Sequence, residues 1–417
     1  MEKLAINGGK PVRKTPIFYG HQYIDDNDIQ AVVNVLKSDF LTCGPAIDRL
    51  ERKLRDVTGA KYVVAIANGT AALHAACCAA GIREGDEVIT TPITFAASAN
   101  CALYMGATPV FADINPYTYN IDPTSIEEHI TDKTKAIIAV DFTGQAVELD
   151  RIRAICEKYN LILIEDAAHS IGTKYNGIPV GGIADLTTFS FHPVKTVTGG
   201  EGGAIATNDE EFYKKLLLFR SHGITRDRNQ MYDNELYRND AEVVNEKWAD
   251  WYYQMIDVGM NYRMTDIQAA LIASQLDKLE IFKKRRKQIV SRYNEALKDV
   301  PGIILQQEIP ESDTARHLYI IQIDESVLNI SRREFFEALK AENVRCNVHY
   351  IPVYYLPYYH KLGYKRGLCL NAEKLYKRII SIPLYYAMTD DDVESVICAV
   401  KKIAEAYMNN LKGEYYE

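Results

Sequence analysis

The chain has 417 residues, 25% of them charged and 47% apolar, an ordinary globular balance with room for two or three domains. A formal net charge of −8 excludes wholesale nucleic-acid binding, which needs a basic excess. No run of about 18 apolar residues occurs, so no membrane helix is expected, and the opening MEKLAINGGKPVRKTP lacks the apolar centre of a signal peptide.

In chain order, YVVAI at Tyr62 to Ile66 reads as a strand, and TAALHAACCAA after it as a helix closed by Gly81. EVIT, PVFADI and AIIAVDF, ending at Thr90, Ile114 and Phe142, are further strands. Residues 148–159 fit a helix, and LILIED at Leu161 to Asp166 is the next buried strand. LTTFSF and AIAT, ending at Phe191 and Thr207, extend the series. Unbroken apolar strands between helices predict an α/β fold with a mostly parallel sheet covered on both faces. Residues 225–257 are polar and aromatic, a long loop of the kind that tends to be functional. Helical periodicity returns from Thr265 to about Ala296; its segment EIFKKRRKQ reads as a solvated helix face. The last hundred residues form an α+β pattern. HLYIIQI, Val344 to Val348 and Ile379 to Ile382 read as strands, Ser331 with Glu334 as a capping box, and Thr389 as the start of a final helix. The expected boundary falls near residue 300. It gives a large domain at 1–300, with an N-terminal arm and an insertion near 229–247, and a smaller one at 301–417.

The eight cysteines include no C-x-x-C pair, so their spacing does not suggest zinc. They read as reduced thiols of a cytoplasmic protein. His349 and His360 lie 11 apart without supporting carboxylates, and no metal is expected.

Four segments carry candidate chemistry. Asn68-Gly69-Thr70 joins a strand to a helix, where free N–H groups and the helix dipole favour an anion. By itself such a turn is usually only a cap. Glu165-Asp166-Ala167-Ala168-His169 closes the most apolar strand, at the sheet edge where open α/β sheets bind ligands. A carboxylate there stays ionised only against a cation. SFHPVK at Ser190 to Lys195 precedes a Gly cluster, T-G-G-E-G-G, which brings backbone close to something. A strand rather than a helix follows that cluster, so a dinucleotide-binding Rossmann site does not fit. Asn261-Tyr262-Arg263 opens the long helix, and Asn and Arg can both hold a phosphate or carboxylate. A lysine, a carboxylate and a phosphate cup at one sheet edge are what pyridoxal phosphate (PLP) requires.

The strings FLTCGPAIDRLE, ANGTAALHAA, GDEVITTPITFAASAN, GATPVFADI, IEDAAHSIGTKYNG, FSFHPVKTVTGGEGGAIAT, NYRMTDIQAAL, VHYIPVY and SIPLYY, from about Gly20 to Ala404, resemble the DegT/DnrJ/EryC1/StrS family of sugar aminotransferases. The resemblance implies the fold-type-I, aspartate-aminotransferase-like architecture and a PLP enzyme with Lys195 as Schiff-base lysine. It matches Asp166 to the partner of the ring nitrogen and His169 to the contact of the ring hydroxyl. Phe95 matches the stacking aromatic, and Gly69, Thr70 and Ser190 the phosphate cup. Asn261 matches a residue given to that phosphate by the neighbouring subunit, which implies a homodimer with shared sites. His349 matches a position near the nucleotide sugar, and Arg263 is a second candidate for substrate. Within the family, YGHQYIDDNDI, FRSHGITRD and WYYQMIDVGMNYRMTDIQAAL are most similar to the branch that uses L-glutamate to aminate C4 of a UDP-linked 4-keto-6-deoxy-N-acetyl-hexosamine. The polar stretch at 229–247 departs from that branch, as does Cys43 in LTCGP. Rival readings are another nucleotide sugar (bacillosamine, perosamine or 3-keto type), a dehydratase, which would carry His in place of Lys195, and a non-catalytic regulator, which would have lost Lys195 or Asp166.

Overall fold

The computed structural model describes residues 3–408. Seven strands build the main sheet: β1 (Tyr62–Ile66), β2 (Glu87–Thr90), β3 (Thr108–Phe111), β4 (Thr134–Val140), β5 (Ile162–Asp166), β6 (Leu186–Ser190) and β7 (Gly203–Thr207). Their order is β1-β7-β6-β5-β4-β2-β3. β7 pairs antiparallel with both of its neighbours, and the remaining pairs are parallel. Ile137, Ile138 and Leu163 are fully buried, which is what unbroken apolar strands require when helices cover both faces.

The helix α1 (Gly69–Ala79) starts where Asn68 accepts a hydrogen bond from the Ala71 N–H, an N-cap. Its alanines let it lie close on the sheet, and Ala72, Ala75 and Ala76 are fully buried. Gly81, at φ +72°, turns the chain out of the following loop, a conformation that costs glycine little.

The long periodic stretch from Thr265 is two helices, not one: α2 (Asp266–Leu276) and α3 (Leu279–Leu297). The break at Asp277 and Lys278 has a tertiary cause. Asp28 is fully buried and needs a cation. Lys278 turns inward to supply it, with its Nζ 2.5 Å from Asp28 and 2.8 Å from Asp25.

A second sheet orders β8 (Ile303–Leu305), β9 (Tyr319–Ile323) and β10 (Ile379–Ile382) as β8-β9-β10. Its core gathers Ile321, Phe335, Val396 and Val400, with Ile289 and Leu297 of α3 and Leu4 and Ile17 of the N-terminal arm. The expected capping box at Ser331 is formed, and the final helix starts at Thr389 as expected, with a capping box of its own. The expected strand over Val344 to Val348 is not. That segment makes only single bridges, Val344 with Ile17 and Asn347 with Ser381, because the arm and β10 each claim one end of it. The run ending at Phe142 also stops short: β4 ends at Val140, and residues 142–144 form a tight turn with Thr143 at φ +64°. The stretch at 225–257 is not wholly irregular. Ile224–Thr225 pairs with Gln254–Met255, and Glu235–Asp240 is a short helix capped by Asn234.

Candidate active site

A cavity of about 850 Å³ opens at the carboxyl ends of β4, β5 and β6. It gathers Gly69, Thr70, Phe95, Asp166, His169, Ser190, Lys195 and His349, eight of the ten residues singled out from the sequence. Asn261 and Arg263 do not line it. The segment they sit on is extended, bonded through Ser221 to Asn261 and from the Ala67 N–H to the Tyr262 carbonyl. Alternation along extended backbone turns Tyr262 into the cavity and both neighbours away from it.

One end of the cavity suits a phosphate. The Gly69 and Thr70 N–H groups have no acceptor among the described residues, as expected for the first turn of a helix. A Cβ on Gly69 would stand 2.9 Å from the Ser190 Cβ, so only glycine lets the two backbones meet there.

Asp166 lies at the deep end, 5% exposed. Ser98 Oγ donates to its Oδ2 at 2.6 Å, and the Ala168 N–H to its Oδ1 at 3.2 Å. Thr94 Oγ1 lies 2.7 Å from Ser98 Oγ and extends the chain of hydroxyls. Burial pushes the Asp166 carboxyl up; Ser98, Ala168 and the charge of Lys195 oppose it. Lys195 shows the converse. Burial pulls its ammonium down to about 8, with Asp166 opposing, so neutral amine is accessible near physiological pH.

Of the four histidines that line the same cavity, three are buried. Burial, then Lys195 and His349, hold His169 well below its usual range. His349 is pulled to about 4 by burial and by Lys195, and its Nδ1 lies 2.8 Å from Ser381 Oγ. His317, 4.6 Å from His169 ring to ring, is likewise held low, by burial first and then by His169 and Lys195. All three are therefore neutral imidazoles.

Phe95 is 63% exposed although it lines the cavity. An aromatic face left open inside a pocket suits a planar ligand. Taken together, the unpaired helix N-terminus, the buried Asp166, the softened Lys195 and the open Phe95 ring fit pyridoxal phosphate. Among the described residues no three His, Cys, Asp or Glu side chains gather as metal ligands, and no helix is long and apolar enough to cross a membrane.

The DegT/DnrJ/EryC1/StrS aminotransferase family matches residues 22–401. This chain belongs to that family. Among its relatives, a spore coat polysaccharide biosynthesis protein of Bacillus subtilis is 40% identical, covering 93% of this chain and 97% of its own. A UDP-4-amino-4,6-dideoxy-N-acetyl-β-L-altrosamine transaminase of Campylobacter jejuni is 36% identical, covering 94% and 99%. Two solved structures superpose closely. One is a Helicobacter pylori aminotransferase involved in pseudaminic acid biosynthesis, with TM-score 0.85, 31% identity and coverage of 94% and 100%. The other, from Streptococcus pneumoniae and described as a sugar aminotransferase, has TM-score 0.85 in its PMP form and 0.84 in its PLP form, with 31% and 30% identity and coverage of 94% and 99% in each. This member of the DegT/DnrJ/EryC1/StrS family is therefore a PLP-dependent sugar aminotransferase of the fold-type-I architecture.

Ser98, His317 and Tyr350 line the site of this family member without having been singled out from the sequence, and Tyr262 lines it in place of the Asn261 and Arg263 for which its segment was named. Ser98 stands three residues after Phe95 and Tyr350 next to His349, which are weak signals; nothing local distinguished His317 from the other residues of the apolar run that leads into β9.

Proposed function

We propose that the enzyme transfers the amino group of L-glutamate to C4 of a UDP-linked 4-keto-6-deoxy-N-acetyl-hexosamine. The product is UDP-4-amino-4,6-dideoxy-N-acetyl-β-L-altrosamine, used for pseudaminic acid. The observation that carries this reading is the Campylobacter transaminase, aligned over 99% of its length. The Bacillus relative at 40% identity favours a second reading, the same reaction on a different nucleotide sugar.

Pyridoxal phosphate, when bound, supplies an electron sink for the carbanion left as the substrate Cα loses its proton. Lys195 would attach the cofactor and, when not so attached, would move that proton as base and then acid. Asp166 would meet the positive charge of the ring nitrogen, with Ser98 keeping the carboxylate in place. His169 would serve the ring hydroxyl and Phe95 the ring face. Gly69, Thr70 and Ser190 would hold the phosphate, and His349 would serve the sugar. Lys195 is the only Lys or Arg lining the cavity among the described residues, yet phosphate, glutamate and a nucleotide diphosphate are all anions. A homodimer in which the partner subunit brings Asn261 and Arg263 to each site would supply the missing donors. The eight free thiols suit the reducing cytoplasm, where we place the enzyme.

The test is aminotransfer from L-glutamate to a panel of UDP-, dTDP- and GDP-linked 4-keto-6-deoxy sugars, with NMR of the product. Formation of the altrosamine is expected. Turnover of a different sugar instead would replace the substrate and keep the chemistry. Retained turnover in Lys195→Ala would overturn the mechanism.

A further inference from the structure

The His169 ring has two nitrogens, and one protein partner between them. Its Nε2 lies 3.2 Å from the Tyr350 hydroxyl, while its Nδ1 is buried with no partner. The Tyr350 hydroxyl makes no other hydrogen bond among the described residues. The two rings lie nearly parallel, 21° apart, and Phe142 and Phe95 flank Tyr350 at 6.2 and 6.4 Å. These contacts hold the phenol ring, and with it the hydroxyl oxygen, beside Nε2.

A neutral imidazole offers one N–H and one lone pair, and a phenol one O–H. Two arrangements satisfy the observed distance. If Nε2–H donated to the Tyr350 oxygen, the phenolic proton would lack an acceptor and the Nδ1 lone pair would lack a donor. If Tyr350 donates to Nε2, only the Nδ1–H is left unused. A buried polar group without a partner costs about 1–3 kcal/mol, so the arrangement with one unpaired group wins over the arrangement with two. The surroundings favour the same choice. Burial and the charge of Asp166 push the Tyr350 hydroxyl up, so it keeps its proton. Burial, Lys195 and His349 keep His169 from taking a second one.

We propose that Tyr350 is a positioning residue: by donating to Nε2 it fixes His169 as the Nδ1–H tautomer, so that Nδ1–H is the donor left over for an anionic oxygen on the cofactor ring. The last clause rests on the reading of this cavity as a PLP site; the tautomer itself does not. An N–H in that place stabilises a bare phenolate oxygen most when the neighbouring imine nitrogen carries no proton. It should thereby lower the pH at which that proton is lost.

The experiment has two readouts. Apo-protein labelled with ¹⁵N-histidine is examined by NMR, with the His169 signal identified by its disappearance in His169→Asn. The native protein is expected to show Nδ1 protonated, and Tyr350→Phe to show mixed or Nε2-protonated His169. Nε2–H in the native protein would overturn the proposal, whatever Tyr350→Phe does. An unchanged tautomer in Tyr350→Phe would overturn it as well. In the cofactor-loaded enzyme, the titration midpoint of the visible band should rise by about half to one pH unit in Tyr350→Phe. It should not rise further when His169→Asn is already present. A midpoint that stays put in Tyr350→Phe also counts against the proposal. Absence of any visible band in the native enzyme would instead defeat the cofactor reading, leaving the NMR result to decide the tautomer.

Discussion

Lys195 is where burial does chemical work. An exposed lysine near its usual 10.5 is neutral at pH 7 in only about three molecules in ten thousand, whereas one at about 8 is neutral in about a tenth. Only the neutral amine attacks an aldehyde. The rate at which apo-enzyme takes up pyridoxal phosphate should therefore rise with pH, tenfold per unit below about 8, and level off above it. Because Asp166 opposes the burial effect, Asp166→Asn should move that midpoint lower. A native midpoint in the ordinary lysine range, read by stopped-flow absorbance, would refute the account. Ser98 supports a second prediction. Its 2.6 Å bond is the shorter of two donors holding the Asp166 carboxylate, and removing a donor to the charged form raises a carboxyl pKa. Ser98→Ala should weaken cofactor binding about three- to tenfold, more at low pH than at high, because protonated Asp166 no longer meets the ring nitrogen. Equilibrium titration with pyridoxal phosphate at two pH values checks both the size and the trend.

At the scale of elements, Arg286 ties α3 to the segment that carries His317. The side chain is 3% exposed and donates to the carbonyls of Arg316, His317 and Leu384, with no carboxylate paired to it among the described residues. Burial alone lowers it to about 10. Arg286→Met leaves three carbonyls without their donor and should cost on the order of 3 kcal/mol. Arg286→Lys should recover part of it. Thermal melting of the two variants beside the native protein measures the difference, and equal melting points would show that the carbonyls find other partners. The same scale separates what could be read from the sequence from what could not. Strands β1 to β7 were readable because strands buried on both faces leave unbroken apolar runs, and Lys195 and Asp166 stand where such runs end. Val344 to Val348 has the look of a strand, yet its pairing is shared between two different segments, which no local pattern records. The inward turn of Lys278 likewise depends on Asp28, 250 residues away. Ser98 and Tyr350 stayed hidden for the same reason: their partners lie 68 and 181 residues distant, and a lone serine or tyrosine carries no mark of that.

Across the whole molecule, the electrostatics of the site set the strongest demand. On the proposed reading, a chain of net charge −8 binds several anionic groups in a cavity whose own Lys and Arg lining, among the described residues, is Lys195 alone. Asn261 and Arg263 flank the cavity-lining Tyr262 without lining the cavity themselves, and the chain just before them carries the exposed Met255, Val258 and Met260. Exposed apolar side chains grouped around polar ones are what a subunit contact buries. If each site is built from two chains, Lys195 and Asn261 act in one site but belong to different subunits. Lys195→Ala and Asn261→Ala homodimers should then both be impaired. When the two chains are mixed by co-refolding, about half the dimers are mixed, and in each of these one site carries both defects while the other carries neither. Activity should return to about a quarter of the native level per total protein, rising with the mixed fraction isolated by differential tagging. If both residues instead served one chain's own site, every site in the mixed dimer would keep one defect and no activity would return. Recovery of dimers that carry both tags shows that mixed dimers formed, so the absence of activity in them would count against the shared site rather than against the mixing.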